Sequence, residues 1–161
     1  SITEERQKSI AFSDEYKPVD ASLYAAAKGD TFDFDKLEGK SVGVQGATIQ
    51  AAFAEEKLGE KNTIKSYEKP DQSIADLAAG NVDMVLADGE FIRTATGGSN
   101  GMLEVVGPEE MIGGGIGIGL RQDDEKLAEK LNAALADMKA DGTLDEVMSK
   151  YLKDVKPYKA D

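Results

Sequence analysis

The chain has 161 residues, 40% hydrophobic and 31% charged, so it is long enough for one ordinary domain or two small ones. Its 31 acidic and 19 basic residues give a net charge of −12, which opposes general affinity for nucleic acid or anionic lipid. It contains no Cys and no His, which excludes thiol nucleophiles, disulfides and zinc-finger spacings and removes the commonest base at neutral pH. No apolar run approaches the ~20 residues of a membrane-spanning helix. We therefore expect a folded, water-soluble chain.

The first thirty residues predict a short helix and then a strand. Residues 1–8 begin with Ser1 and Thr3, either of which can cap a helix, and acidic residues fill the first turn. The apolar run 22–27 predicts a buried strand followed by a turn at Gly29, although its alanines also permit a helix. Because no Met precedes Ser1 and the pattern is already that of a domain interior, we expect a processed or trimmed chain.

Strand and helix patterns alternate from residue 37 onward. This succession of β-α steps implies a parallel sheet with helices on its faces. Asp71 is the expected cap of the second helix, and Ile74, Leu77 and Ala78 share its apolar face. The predicted strands are residues 41–45, 63–67, 82–87 and 103–106, and the predicted helices are residues 51–58, 71–79 and 90–95.

A glycine-rich segment and two helices complete the chain. Residues 111–120 alternate Gly with branched apolar residues, which predicts a strand passing close to other backbone. Gly142 separates the two helices, residues 143–146 form a capping-box pattern, and the basic tail after residue 153 is expected to fray. The predicted apolar faces comprise Leu127, Leu131, Leu135 and Met138 in the first helix and Leu144, Val147, Met148, Tyr151 and Leu152 in the second.

The glycine-rich segment does not fit a phosphate-binding loop. It lacks the Gly-Lys-Ser or Gly-Lys-Thr ending of the Walker motif. It also fails the Gly-x-Gly-x-x-Gly pattern, because Leu120 stands at the last position. We therefore expect no nucleotide at this segment. Separately, we expect no metal and no other cofactor.

Two polar residues follow predicted strands at the edge where open α/β sheets bind ligands. Thr48 lies where strand 41–45 runs into a helix. Free N–H groups at a helix start, with a hydroxyl beside them, can donate hydrogen bonds to a carboxylate. Asp88 follows the third strand and can hold an ammonium group. The alternative for each residue is local: Thr48 or Asp88 only caps the helix that follows it.

Arg6 is the third candidate. Its planar guanidinium suits bidentate recognition of a carboxylate, although a helix pair with Thr3 or an ordinary surface charge is the alternative. Taken together, Arg6 and the amides at Thr48 suit the carboxylate of a zwitterion, and Asp88 suits its amine. The three residues therefore suggest a binding site for an amino acid.

Several ordered motifs resemble one protein family. They are Ser-Ile-Thr-Glu-Glu-Arg at residues 1–6 with Ile-Ala-Phe-Ser at 10–13, Gly-Lys-Ser-Val-Gly-Val-Gln at 39–45, Asp-Leu-Ala-Ala-Gly-Asn-Val-Asp at 76–83, Gly-Ile-Gly-Leu-Arg at 117–121 and Ala-Asp-Gly-Thr at 140–143. Through them the whole chain resembles the C-terminal two-thirds of periplasmic amino-acid-binding proteins of ABC importers, above all the lysine/arginine/ornithine-, histidine- and opine-binding members.

The resemblance implies an α/β chain with the type II periplasmic-binding-protein fold, in which two lobes are joined by a two-strand hinge near residues 22–27 and 116–120. Lobe 2 is expected to be complete over residues 21–112. Lobe 1 is expected to be partial, formed by residues 1–20 and 113–161. Its opening strands and helices are not in the sequence, so we expect a proteolytic or engineered fragment, or an upstream part that is a separate piece.

The resemblance also implies a function. The chain would be the periplasmic solute-binding component of an amino-acid ABC transporter and not an enzyme; it would bind one free amino acid, basic or polar, between two lobes and deliver it to the permease subunits. In that pattern Arg6, with Ser1 beside it, clamps the ligand carboxylate from lobe 1. Lobe 2 contributes Thr48 and the Ile49 amide to the carboxylate, Asp88 to the ammonium, and Gln45 and Gln50 to the side-chain end of the cleft. Relatives often have Gly-Thr-Thr where this chain has Ala47-Thr48-Ile49, so a second hydroxyl is absent.

Other functions remain as alternatives. The same fold occurs in ligand-sensing effector domains, and a stand-alone, non-catalytic α/β domain is a further option. A regulator would bring a helix-turn-helix segment, and none is visible in this acidic sequence. An enzyme would need an acid/base pair, and Asp88 is the one plausible carboxylate of the predicted cleft. Because the last two helices would lack a sheet to cover, we also expect a dimer, a swapped assembly or binding of a complementary fragment, and weaker ligand binding than in an intact protein.

Overall fold

The computed structural model describes residues 1–152 and 157–158. The chain divides into two compact units: a central unit, Asp20–Ile112, and a terminal unit, formed by Ser1–Val19 and the described residues from Gly113 onward. Their identification as lobe 2 and partial lobe 1 stays a prediction. Within the described ranges, none of the helices combines the length and the apolar character that crossing a bilayer requires.

The described residues form seven strands and six α-helices. The strands are β1 (Ala11–Phe12), β2 (Ser22–Ala27), β3 (Ser41–Gln45), β4 (Thr63–Tyr67), β5 (Met84–Asp88), β6 (Leu103–Glu110) and β7 (Gly119–Leu120). The helices are α1 (Glu4–Gln7), α2 (Ile49–Lys57), α3 (Pro70–Ala78), α4 (Gly89–Gly97), α5 (Glu125–Asp141) and α6 (Thr143–Tyr151), with a short 3-10 helix at Phe34–Lys36.

The central unit contains a five-stranded sheet in the order β4-β3-β5-β2-β6. β3 pairs in parallel with both β4 and β5, as the β-α alternation predicted. β2 pairs antiparallel with both β5 and β6; it precedes the predicted alternation, so the parallel expectation does not cover it. The four strands that belong to the alternation run in one direction, and β2, which no crossover helix precedes, is inserted among them in the opposite direction.

The three inner strands of the sheet, β3, β5 and β2, are buried on both faces, which explains their nearly continuous apolar sequences. On one face Tyr24, Val42 and Met84 pack with α2 and the 3-10 helix. On the other face Leu23 and Val85 pack with α3 and α4. Successive residues of β2 and β5 therefore enter different cores, and the strand interpretation of residues 22–27 is confirmed over the helical one.

Several predicted boundaries differ from the structure. The N-cap of α3 is Lys69 and not Asp71, because Pro70, whose fixed φ suits the first helical position, starts the helix two residues earlier than a cap at Asp71 would. The carboxamide oxygen of Gln72 accepts the Lys69 N–H at 3.1 Å. Ala78, expected on the apolar face, is exposed. Both α2 and β6 are longer than predicted, by two residues at the start of α2 and four at the end of β6.

The acidic ends of motif 76–83 hold elements of the central unit together. Asp76 on α3 accepts hydrogen bonds from Lys65 Nζ at 2.6 Å and from the Tyr67 hydroxyl at 2.7 Å, both on β4. These bonds, that of Lys65 first, lower the pKa of Asp76 to about 2. Asp83, just before β5, accepts from the backbone N–H and the hydroxyl of Ser41 at 2.8 and 2.7 Å. This motif is therefore structural in the described chain.

The glycine-rich segment of the terminal unit passes close to other backbone, as predicted. Gly114 N–H donates to the Ile2 carbonyl, and Ile2 N–H donates to the Gly115 carbonyl, both at 2.9 Å. A Cβ on Gly117 would lie 2.9 Å from the carbonyl oxygen of Ser13, which leaves no room for a side chain. The segment is not one continuous strand, because its regular part, β7, is limited to two residues that pair with β1.

The predicted capping box at the start of α6 does not form. Gly142 has a φ of 87° and serves both as the C-cap of α5 and as the N-cap of α6. Thr143 is consequently the first helical residue, and its N–H donates to the Asp141 carboxylate at 2.7 Å. Glycine reaches this left-handed conformation without a Cβ clash, so the chain can turn within one residue.

The predicted apolar faces of α5 and α6 are only partly buried. Leu135, Leu144 and Met148 are buried. The exposed members are Leu127 at 49%, Val147 at 43% and Tyr151 at 80% relative exposure. The tail predicted to fray, after residue 153, lies largely outside the described residues. Tyr158, which is described, donates its backbone N–H to Asp145 Oδ1 at 2.9 Å and its hydroxyl to Glu15 Oε1 at 2.7 Å.

Two glycines at the ends of α4 provide a matched test of packing. A Cβ on Gly89 would lie 2.3 Å from the carbonyl oxygen of Ala21, whereas a Cβ on Gly97 would have no heavy atom within 4 Å. We expect Gly89→Ala to lower the free energy of unfolding by roughly 1–3 kcal/mol, because backbone must move to admit the methyl group. Gly97→Ala should raise it by up to ~1 kcal/mol. Urea unfolding of both variants measures the difference, and equal stabilities would contradict the close approach.

Candidate functional site

Five of the seven predicted site residues lie at one edge of the central sheet. Because β3 and β5 are parallel neighbours, their carboxyl ends reach the same edge. Helix α2 begins just beyond β3, and α4 begins directly after β5. β2 starts at this edge too, since Ser22 is the register partner of Asp88. The residues brought to the edge are Gln45, Thr48, Ile49, Gln50 and Asp88.

Thr48 is the N-cap of α2. Its hydroxyl oxygen accepts the Ala51 N–H at 3.1 Å, and its hydroxyl proton is donated to the Gln45 carbonyl at 2.7 Å. The Ile49 amide precedes the first intrahelical bond, which Ala52 N–H makes to the Thr48 carbonyl at 3.2 Å. The capping alternative is therefore what the structure shows for the hydroxyl, while the amides at the helix start are the groups suited to an anion.

The turn into α2 contains an unusual backbone conformation. Ala47 has a φ of 58°, in the left-handed region that costs an L-residue other than glycine roughly 1–2 kcal/mol. The turn brings Thr48 to the extended conformation of an N-cap, with φ −101° and ψ 165°. Strained backbone of this kind persists where surrounding structure imposes it.

Asp88 ends β5 and caps α4. Its Oδ1 accepts the Glu90 N–H at 3.1 Å, as the local alternative predicted. The carboxylate is exposed. An ionised carboxylate can accept about four hydrogen bonds, so capping one amide leaves capacity for a ligand ammonium group.

Gln45 and Gln50 have different surroundings. Gln45 is at the end of β3, and its Nε2 donates to the Glu68 carbonyl at 3.4 Å. Gln50 is buried, and its Nε2 donates to the hydroxyl of Ser22 at 2.9 Å. Ser22 is not among the site residues predicted from the sequence. The available signal was a hydroxyl at the first position of an otherwise apolar strand.

Arg6 and Ser1 lie in the terminal unit. Arg6 follows the N-cap Thr3, whose hydroxyl oxygen accepts the Arg6 backbone N–H at 3.2 Å. Its guanidinium is half-buried, and Nη1 donates to the carbonyl oxygen of Ser1 at 3.0 Å. The predicted pair with Thr3 is thus made through the backbone. A guanidinium carries five N–H donors, so the bond to Ser1 orients the group and leaves donors for a carboxylate.

A surface hollow of about 560 Å³ lies elsewhere in the terminal unit, beside β7. Its lining includes Ile10, Leu120 and Arg121 and none of the predicted site residues. The Arg121 guanidinium is engaged by the Asp124 carboxylate through hydrogen bonds of 3.0 and 3.3 Å. We assign this hollow no ligand, because its cationic group already has an anionic partner.

The pattern that defines the bacterial extracellular solute-binding proteins, family 3, matches residues 1–154, and the chain belongs to this family. The family groups solute-binding proteins and not enzymes, which agrees with the absence of a predicted acid/base pair. The predicted family resemblance is confirmed.

Individual relatives agree with the family. The histidine-binding periplasmic protein of Escherichia coli K12 is 38% identical over 162 residues, and the lysine/arginine/ornithine-binding periplasmic protein of the same organism is 37% identical over 160 residues. Each alignment covers 94% of this chain and 61% of the relative. The chain therefore spans about 61% of the length of these curated relatives.

Solved structures support the fold class. A periplasmic His/Glu/Gln/Arg/opine family-binding protein from Silicibacter pomeroyi, in complex with lysine, matches with a TM-score of 0.83 and 38% identity. The match covers 97% of this chain and 68% of that protein. The type II periplasmic-binding-protein fold, present in part, is therefore confirmed.

The strain at Ala47 gives a prediction for the turn. We expect Ala47→Gly to raise the free energy of unfolding by ~1 kcal/mol, because the relief at positive φ exceeds the extra chain entropy of glycine. Ala52→Gly, at an exposed position inside α2, is the control and should lower stability by roughly 0.5–1 kcal/mol. Thermal or urea unfolding measures both, and a loss of stability in Ala47→Gly would argue against a strained turn.

Proposed function

We propose that the protein is the periplasmic solute-binding component of an amino-acid ABC transporter, binding a free amino acid with a basic or polar side chain and delivering it to the permease. The observation that carries the proposal is the composition of the site edge in the central unit. A helix start suited to a carboxylate and an exposed carboxylate suited to an ammonium group lie at the ends of neighbouring parallel strands.

The two features match the two charges of an α-amino acid. The amides at the start of α2 and the positive end of its dipole favour the ligand carboxylate. The Asp88 carboxylate favours the α-ammonium by a charge-assisted hydrogen bond. Because helix starts of this kind are common, neither feature alone would indicate a zwitterion; their placement at one sheet edge supports that ligand class.

Arg6 is the proposed second contact for the ligand carboxylate. This part of the proposal rests on the family resemblance and on the chemistry of the guanidinium. The hydrogen bond to the Ser1 carbonyl fixes one edge of the group, so less side-chain entropy is lost when its other donors meet an anion. Ser1 is the proposed neighbour of the bound carboxylate.

The relatives and the charge of the chain support a basic or polar ligand. The matched proteins are described as binding histidine or lysine, arginine and ornithine, and one matched structure contains lysine. The net charge of −12 attracts cationic solutes through the summed field of the protein. Gln45, at the end of β3, is a proposed contact for the ligand side chain.

Replacing Asp88 tests the proposal. We expect Asp88→Asn in the natural-length protein to weaken binding of the best ligand by ~30-fold or more, since removing one partner of a charge pair that ligand binding desolvates costs roughly 2–5 kcal/mol. Asn caps helices as well as Asp does, so α4 should remain intact. Calorimetric titration with lysine, arginine, ornithine, histidine and glutamine gives the affinities.

Asp30→Asn is the matched control. It removes the same charge from an exposed turn beyond the opposite end of β2, and its affinities should equal those of the wild type. If Asp88→Asn binds the best ligand as tightly as the control does, the role assigned to Asp88 is wrong. If the unsubstituted protein binds none of these amino acids, the proposed ligand class is wrong.

Association through α5 and α6 is a separate proposal. The exposed apolar side chains of Leu127, Val147 and Tyr151 support self-association, because such groups gain by leaving water. Sedimentation velocity should show dimers of this chain at micromolar concentration, and Leu127→Glu with Val147→Lys should reduce them. A monomer at every concentration would contradict the proposal.

A further inference from the structure

The buried pair formed by Gln50 and Ser22 is not explained by the ligand contacts proposed above. Gln50 is the second residue of α2 and 9% exposed, and Ser22 is the first residue of β2 and 2% exposed. The Gln50 carboxamide donates to the Ser22 hydroxyl at 2.9 Å. Two polar side chains can be buried when each satisfies the hydrogen bonding of the other. Removing either partner of this bond would leave the other buried without it, which destabilises the fold.

The Gln50–Ser22 hydrogen bond connects elements that are not neighbours in the sheet. Helix α2 follows β3, whereas Ser22 is on β2, and β5 lies between those two strands. The bond therefore links the helix that follows β3 to β2, and these two strands flank β5 in the sheet. Its acceptor residue, Ser22, is the register partner of Asp88, the last residue of β5. One hydrogen bond thus connects the first turn of α2 to the residue paired with Asp88.

We propose that Gln50 is a positioning residue that fixes the start of α2 relative to Asp88, and not a contact for the ligand side chain. The inference rests on the proposed function, in which the start of α2 holds the carboxylate and Asp88 holds the ammonium. In an α-amino acid these two charges are attached to the same carbon. Both contacts form together only if the protein groups are held at a matching separation, and a preorganised pair avoids the cost of ordering them on binding.

The positioning role predicts a change in ligand preference that a purely stabilising bond would not produce. Without the Gln50–Ser22 bond, the start of α2 should still bind a carboxylate and Asp88 should still bind an ammonium group. The distance between these two protein groups should no longer suit one α-amino acid. The affinity for an α-amino acid should then fall, while the affinity for an analogue without the α-ammonium should change little. A contact between Gln50 and the ligand side chain predicts a different result, because both ligands carry the same side chain and would lose affinity equally.

The test compares L-lysine with 6-aminohexanoate, and L-arginine with 5-guanidinopentanoate, by calorimetry on the natural-length protein. The main variant is the double substitution Gln50→Leu with Ser22→Ala, which replaces both polar partners and leaves neither unsatisfied, so folding should be retained. We expect its preference for the α-amino acid over the analogue to fall by ~10-fold, with analogue affinity within about twofold of wild type. Gln50→Leu alone should lose as much preference as the double variant.

Ser99→Ala is the matched control. Ser99 is a buried serine of the same unit, and its hydroxyl accepts the Leu103 N–H at 3.0 Å at the start of β6, away from the site edge. It should lower stability and leave the preference unchanged.

The positioning role is wrong if the preference for the α-amino acid over its analogue is unchanged in the double variant, whether both affinities fall equally or neither falls. That result leaves the proposed function standing. If the natural-length wild-type protein binds neither these four compounds nor ornithine, histidine or glutamine, the proposed ligand class and this inference are both wrong.

Discussion

The parallel pairing of β3 with β5 is the constraint on which the arrangement of the central unit depends. Val42 lies opposite Met84, and Gly43 lies opposite Val85. A Cβ on Gly43 would lie 3.2 Å from both Val85 Cγ2 and Tyr67 Cε2, so glycine allows this close packing. Because the two strands run together, the helices that follow them start at the same edge. The polar groups that suit a zwitterion are consequently gathered by strand pairing and not by proximity in the sequence.

The antiparallel strand β2, which lies outside the β-α alternation, contributes Ser22 to the edge of the sheet where β5 ends. Its antiparallel register brings the first residue of β2 to the edge where β5 ends. The buried hydroxyl of Ser22 thereby accepts a hydrogen bond from the carboxamide of Gln50. Gln50 is on α2, which follows β3, and β3 is two strands from β2 in the sheet. The edge is therefore built from three separate parts of the chain, and its internal spacing depends on tertiary hydrogen bonding as well as on the sheet.

The sequence predicted local features well and tertiary ones only in part. Strands 22–27, 41–45 and 63–67 match because alternation, apolar runs and flanking glycines are local signals. The direction of β2 could not be predicted from local signals, since its register partners on β5 and β6 lie 58 or more residues further along the chain. The start of α3 was misplaced because Asp71 is a good cap by type, yet Pro70 fixes the first helical position.

The predicted site residues show the same division. Thr48 and Asp88 were predicted at a helix start and a strand end, and the structure places them there. Which of their two proposed roles applies could not be decided from sequence, because capping and ligand binding use the same residue types. The Gln50 carboxamide was assigned to the cleft, whereas its burial against Ser22 depends on a strand whose placement the local pattern did not define.

Capping and ligand binding at Thr48 are compatible because they use different atoms. The hydroxyl is engaged twice, as acceptor from Ala51 and as donor to the Gln45 carbonyl, so it holds the turn. The groups left to bind an anion are backbone N–H groups, which every residue except proline carries. The family resemblance implies a second threonine at the position of Ile49, but the Ile49 amide lies in the first turn of α2 whichever side chain is attached. The departure therefore removes one hydroxyl from the proposed carboxylate site and leaves the helix start, which the strained turn at Ala47 orients.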